Sequence, residues 1–195
     1  MSTAVLHPTL ADRVFGAQSS LARQVLLAVG GSLALWASAK IQIPFFPVPL
    51  TMQTFMVLVI GMAFGLGLGT ATVALYLMQG ALGLPVFAGT PEKGIGLAYM
   101  VGPTGGYLLG YLAAAAACGY LAERGWDRRA STTALAMLVG NILIYVPGLL
   151  WLGAVVGWDK PVLAWGLTPF LLGDLVKLAL ATAVLPLAWQ GLRSR

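Results

Sequence analysis

Charged positions cut this chain into long apolar runs. No Asp, Glu, Lys or Arg occurs from Gln24 to Ala39, from Ile41 to Pro91, from Gly94 to Ala122, or from Ala130 to Trp158. A membrane-spanning helix needs about 20 mostly apolar residues. The Ile41–Pro91 run therefore holds two spans and each of the others one. A final stretch supplies the sixth, opened by Thr168 as cap and Pro169 at the first helical position. The predicted spans are Leu21–Ala39, Thr51–Phe64, Thr70–Leu84, a fourth capped by Thr104 and ending before Glu123, Ser131–Val156, and Thr168–Leu192. The expected fold is an all-α integral membrane protein, a six-transmembrane-helix bundle forming one domain over residues 21–195. Residues 1–20 are polar enough to lie outside the bilayer, as a cytoplasmic N-terminal segment with a short surface helix.

The breaks between runs carry their own pattern. Pro44, Pro47 and Pro49 forbid a continuous helix and favour extended backbone. Their segment is nevertheless apolar, with Phe45 and Phe46 adjacent. Irregular backbone at membrane depth survives only against protein or a water-filled cavity. We therefore expect a proline-rich lid over the outer mouth of the bundle, with Thr51 capping the second span and Gln53 in its first turn. Gly65, Gly67 and Gly69 predict a tight turn between antiparallel helices; the nucleotide-loop reading fails for want of a Gly-Lys-Ser/Thr motif or a preceding strand. Pro147 and Pro186 are expected to bend their helices. Gly30, Ala34 and Ser38 recur at four-residue intervals on the first span, a strip of small residues that lets another helix approach closely.

Composition supports the membrane reading, since 59% of the 195 residues are hydrophobic and only 9% charged, against about a quarter charged in ordinary soluble domains. The net charge of +5 reports topology rather than nucleic-acid binding, because the basic residues form no stripe or recognition motif. With six spans, Arg13, Arg23, Arg124, Arg128, Arg129, Arg193 and Arg195 fall on one side and Lys40, Lys93 and Lys160 on the other. The positive-inside rule then puts both termini in the cytoplasm. Arg13 and Arg23 before an apolar run, with Ala37-Ser38-Ala39 after it, outline a signal peptide. The long polar lead containing Asp12, and the five spans that follow, favour an uncleaved first span. The Glu123–Arg129 loop, of mixed sign, is expected to be solvated.

Asp174 is the only carboxylate in a predicted span, and Lys177 lies three residues on, on the same helix face. Each charge costs roughly 2.5–3.5 kcal/mol at the centre of a spanning helix. Either the two neutralise each other in a packed bundle or they belong to a polar pocket. Catalysis has little to work with. The only histidine, His7, lies outside every span, which leaves no His-dependent protease, metalloprotease or haem ligation. No catalytic residues, metal or cofactor are expected. Gln79, with two donors and an acceptor, and the Gly105–Gly106 helix start, whose N–H groups suit an anion, are candidates to join Asp174 and Lys177 around a small amphipathic solute. The alternatives are helix-to-helix bonding for Gln79 and a plain turn for the glycines.

Four stretches resemble the BioY family, the biotin-binding S component of energy-coupling-factor (ECF) transporters. They are Pro47-Val48-Pro49-Leu50-Thr51-Met52-Gln53, Gly83-Leu84-Pro85-Val86-Phe87-Ala88, Gly102-Pro103-Thr104-Gly105-Gly106-Tyr107 and Asp174-Leu175-Val176-Lys177. The resemblance implies a six-helix bundle in the bacterial cytoplasmic membrane with an outward-accessible biotin pocket. Its implied partners are a transmembrane coupling protein and ATPase subunits, with lipid around and no nucleic acid. It implies substrate-binding roles for Asp174, Lys177, Gln79, Gly105, Gly106 and Tyr107. Phe46, Pro47, Pro49 and Gln53 would form the lid, and Gly30, Ala34 and Ser38 would dock the partner. Gln79 stands where the family more often has Asn, and Gly30 and Ser38 where it has Ala. A membrane assembly protein with a buried Asp–Lys pair, or an S component for another small vitamin, are the alternative readings. The topology has a direct test: a protease tag at the C-terminus should resist protease added outside intact cells and be cut only after permeabilisation.

Overall fold

Helix α5, Gly105–Ala122, carries Gly106, Gly110, Ala114, Cys118 and Ala122 at four-residue intervals, and all five are buried. In a membrane, helices associate through close backbone approach, and small residues permit it. The computed structural model, which describes residues 7–16 and 20–193, places α5 between α3 (Gln53–Ala81) and α6 (Ala130–Val156). Residues 1–6, 17–19, 194 and 195 lie outside the described residues, and with them part of the expected N-terminal segment and Arg195. The row meets backbone directly. A Cβ on Gly110 would stand 2.7 Å from Ile144 Cα and 2.8 Å from the Leu143 carbonyl oxygen. That carbonyl is the one Pro147, four residues on, cannot bond. Helix α6 runs through Pro147 unbroken, as α8 (Leu171–Arg193) does through Pro186. On the opposite face of α5, a Cβ on Gly61 would stand 2.7 Å from the Ala115 carbonyl oxygen.

Among the described residues, five helical runs are long and apolar enough to cross a membrane. The second and third predicted spans are merged in α3, which reverses at Gly65 (φ +80°, ψ −178°), a backbone only glycine adopts readily. Gln53 Nε2 donates to Tyr76 Oη at 2.6 Å, although 23 residues of straight helix would separate them by about 35 Å. The two arms of α3 are therefore antiparallel. The expected turn of Gly65 to Gly69 narrows to Gly65, because the helix resumes at Leu66. Glu123 caps that restart, its Oε1 accepting from the Leu66 N–H at 2.9 Å.

The other cap predictions fare unevenly. Thr104 holds the N-cap position of α5 without a side-chain bond. Thr51 Oγ1 accepts from Gln53 N at 3.2 Å, although Met52 is the N-cap. Thr168 opens a 3₁₀ turn, Thr168–Phe170, ahead of α8 and donates to Leu163 O instead of capping. The proline-rich segment folds as a small hairpin, β1 (Gln42–Ile43) pairing antiparallel with β2 (Leu50–Thr51). Its Phe46–Pro47 peptide is cis. A short α1 (Leu10–Phe15), held by a Thr9–Asp12 capping box, buries Leu10 and Ala11 against the bundle. Between α3 and α5 lies α4 (Gly96–Met100), and α7 (Val162–Gly166) precedes the 3₁₀ turn.

The small-residue strip of α2 (Leu21–Lys40) is not one face: Gly30 is open, Ala34 half-buried and Ser38 buried. Four residues of helix turn through about 400°, so each step drifts about 40°, and the strip winds from lipid into the bundle. The loop after α5 also departs from expectation, since Asp127 is fully buried. Its Oδ2 accepts from Trp189 Nε1 at 2.5 Å, which ties α8 to the loop, and Arg128 stacks over the Trp189 ring. Burial raises the Asp127 pKa from its ordinary value, against the smaller opposing effects of the Trp189 bond and the Arg128 charge.

Two tests follow from this packing. Gly110→Ala should destabilise the bundle by about 1–3 kcal/mol through overpacking against fixed backbone. Gly30→Ala, in open space within α2, should raise stability by about 0.5–1 kcal/mol through lost backbone freedom in the unfolded chain; thermal melting in detergent reads both. A raised folded-state pKa means that folding favours the protonated Asp127, so its burial costs stability as pH rises. Asp127→Asn keeps an acceptor for Trp189. Its melting temperature should exceed the wild-type value at pH 8, and the gain should vanish at low pH.

Candidate binding cavity

Helix α8 presents Asp174 and Lys177 one turn apart toward the bundle, with side-chain exposures of 9% and 11%. Lys177 Nζ lies 3.0 Å from Asp174 Oδ1 and donates to Thr54 Oγ1 on α3 at 2.8 Å. The second carboxylate oxygen, Oδ2, accepts from the hydroxyl of Tyr145 on α6. One ion pair thus joins three helices, and each carboxylate oxygen accepts one bond. Two of the three Lys177 donors are used among the described residues, and Lys177 is part of the wall of the cavity next to it.

That cavity has room for about 40 Å³ of water, enough for only a few molecules. Val48 and Pro49 of the hairpin form part of its wall, with Ala88, Leu108 and Phe170 as other apolar contributors. The polar wall is built from Thr51, Gln53, Thr54, Tyr99, Thr104, Tyr107, Tyr111 and Tyr145. Several of these are fixed from behind. Tyr107 Oη donates to Gly166 O at 2.9 Å, and Tyr99 Oη to Ala88 O at 2.8 Å. Tyr107 and Tyr145 meet edge to face with centroids 6.1 Å apart, and Tyr145 leans on Phe170 at 6.3 Å. The result is a small, aromatic, hydroxyl-rich chamber with one cation in its wall.

The residues singled out from sequence are partly brought together. Lys177, Tyr107, Gln53 and Pro49 line the chamber, while Asp174 stands behind Lys177 and Tyr145. Gln79 does not line it: its Nε2 donates to Ser32 Oγ on α2 at 3.3 Å. Three residues past Tyr76 the helix has turned about 60° short of a full circle, which aims Gln79 at α2. Gly105 and Gly106 do not line it either. They admit the Met100 and Pro147 carbonyls and the Trp151 side chain, and the Gly105 N–H donates to Gly102 O at 3.0 Å. Within the hairpin Pro47 and Pro49 are buried, but Phe46 is 79% exposed and points away. Sequence reasoning missed Tyr99, Tyr111, Tyr145 and Thr54. A signal was present for Tyr111, four residues after Tyr107 and so on the same helix face.

The chain matches the model of the BioY family over residues 9–194. A relative from Pyrococcus horikoshii, named probable biotin transporter BioY, is 38% identical over 146 residues, covering 75% of this chain and 83% of its own. The biotin transporter BioY of Thermotoga maritima is 37% identical over 163 residues, with 83% and 93% covered. A solved structure, the S-component for biotin from an ECF-type ABC transporter, superposes with a TM-score of 0.69 at 23% identity, covering 89% of this chain and 92% of that one. At that identity the likeness is one of fold. The family match extends from the cap of α1 through α8, and it is on this extent that the chain belongs to the BioY family.

Proposed function

We propose that this chain captures biotin from the outer side of the bacterial cytoplasmic membrane and serves as the substrate-binding component of an ECF-type transporter. In this reading the bundle makes six passes, the arms of α3 counting as two, with both termini and residues 1–20 in the cytoplasm. Residues 21–195 form the binding domain. Energy comes from a transmembrane coupling protein and ATPase subunits, and the chain itself performs no catalysis. The observation that carries the reading is the hydroxyl-rich chamber beneath the hairpin, with Lys177 in its wall, in a chain whose named relatives are biotin transporters.

The chemistry of biotin suits such a chamber. Its ureido ring offers two N–H donors and a carbonyl, which hydroxyls, an amide and a carboxylate can match. Its bicyclic body fits against tyrosine faces, and its carboxylate against a cation. A site built on hydrogen bonds rejects analogues lacking them far better than an apolar slot does. A chamber of about 40 Å³ must widen to admit a vitamin, and in this reading the wall that yields is the hairpin segment with Val48 and Pro49. Each carboxylate oxygen of Asp174 accepts one bond in the empty state and keeps a second lone pair, so the ureido N–H groups can bond to it beside Tyr145 and Lys177. The pair is then a preformed acceptor, kept neutral in the empty state.

Binding of radiolabelled biotin to the purified protein tests this. Wild type should bind, and Asp174→Asn should bind about ten- to a hundredfold more weakly, the cost of about 1.5–3 kcal/mol for a hydrogen bond to a charged group. Asp174→Asn combined with Lys177→Met removes the stranded cation; it should restore stability but not binding. Near-original affinity in the double variant would make the pair purely structural.

A further inference from the structure

The outer segment Val86–Thr90 has no regular secondary structure, yet its carbonyls are bonded from several elements. Tyr76 Oη on α3 donates to Val86 O at 2.9 Å, and Tyr99 Oη on α4 donates to Ala88 O at 2.8 Å. The Gly89 carbonyl accepts from the Lys93 N–H at 2.9 Å, and Lys40, the last residue of α2, reaches the other two. Its Nζ lies 3.1 Å from each of Phe87 O, Thr90 O and Thr90 Oγ1, so its three donors meet three oxygens. No ion pair among the described residues includes Lys40. Thr90 Oγ1 in turn donates to Phe87 O at 2.7 Å, which draws the oxygens into one cluster around the ammonium. The Phe87 ring is locked below, stacked on Tyr99 at 4.9 Å and edge-on to Tyr76 at 5.6 Å.

Ala88, within this clamped segment, is part of the chamber wall. Helix α2 leaves much of its surface to the surroundings, with Leu26, Leu33 and Trp36 exposed. The side chain at its outer end therefore links a helix with an uncovered face to the wall of the chamber.

We propose that Lys40 is a positioning residue of the binding site. Its ammonium clamps the Phe87–Thr90 backbone, holds the Ala88 wall closed on bound ligand, and ties that wall to α2. The inference rests on biotin as ligand under the proposed function. Its distinctive consequence is kinetic: the clamp governs escape of the ligand, while the hairpin governs entry.

The test uses the full chain in lipid nanodiscs, with tritiated biotin and with hydrogen exchange of the Ala88–Thr90 amides. Lys40→Met keeps length but removes every donor. It should speed biotin dissociation about tenfold, the weight of a charged hydrogen bond, with association changed by less than about twofold. Lys40→Arg should recover most of the slow dissociation. Thr90→Val, which removes one acceptor, should give a smaller increase. In ligand-free protein the Ala88–Thr90 amides should exchange faster in Lys40→Met and near the wild-type rate in Lys40→Arg. Wild-type dissociation and exchange in both Lys40→Met and Thr90→Val would overturn the proposal, as would a loss that Lys40→Arg fails to repair. If Lys40→Met does not fold, dissociation and exchange in Thr90→Val decide. If wild type binds no biotin, the proposed function fails, and ligand-free exchange still decides whether the clamp exists.

Discussion

The close approach of backbones around α5 is the constraint on which the rest of the structure depends. Gly61 against Ala115, Gly119 against the Gly65–Leu66 backbone, Gly110 against Ile144 and Gly106 against Pro147 leave no side chain between helices at these crossings. Lipid tails are as apolar as leucine, so burying Leu against Leu gains little in a bilayer; close packing supplies the association. With α3 and α6 fixed on opposite sides of α5, Thr54 and Tyr145 are brought within reach of α8. The Asp174–Lys177 pair can then be satisfied. A side chain larger than hydrogen at Gly110 acts on the chamber through this geometry, although Gly110 lies outside its wall.

Polar groups inside the bundle are used economically. Asp174 neutralises Lys177, Thr54 takes a second ammonium donor, and Tyr145 donates to the second carboxylate oxygen. Breaking a buried pair by removing one partner is far costlier than removing both, because one charge is left uncompensated. The network therefore stabilises the empty protein only as a unit. A ligand that offers donors of its own can bond to the carboxylate beside them.

The irregular outer segments obey the same accounting. The hairpin satisfies part of its backbone by strand pairing, and Val86–Thr90 by hydroxyls and the Lys40 ammonium. Lys177 and Lys40 thus make opposite use of the same chemistry. The first is held by side chains and lines the chamber; the second is held mainly by backbone and fixes one of the chamber's walls.

Sequence alone was enough to read the membrane class, the apolar runs, the reversal near Gly65, the break at Pro44–Pro49 and the partnership of Asp174 with Lys177. Each of these rests on local or additive quantities: transfer energies summed along a run, a dihedral only glycine adopts, a missing N–H, or two charges on one helical turn. Which way a side chain faces across the bundle is not such a quantity. Gln79 turned to Ser32 on α2, Asp127 went inside beneath Trp189, and Gly105 and Gly106 served packing, because helix rotation is settled by the neighbouring helix. The tyrosine wall of the chamber, drawn from α4, α5 and α6, and the hold of Lys40 on a loop 50 residues away are likewise tertiary facts. In a chain this apolar the hydrophobic pattern is nearly uniform around each helix. It therefore marks where the spans lie, and only the packing of small residues decides which faces meet.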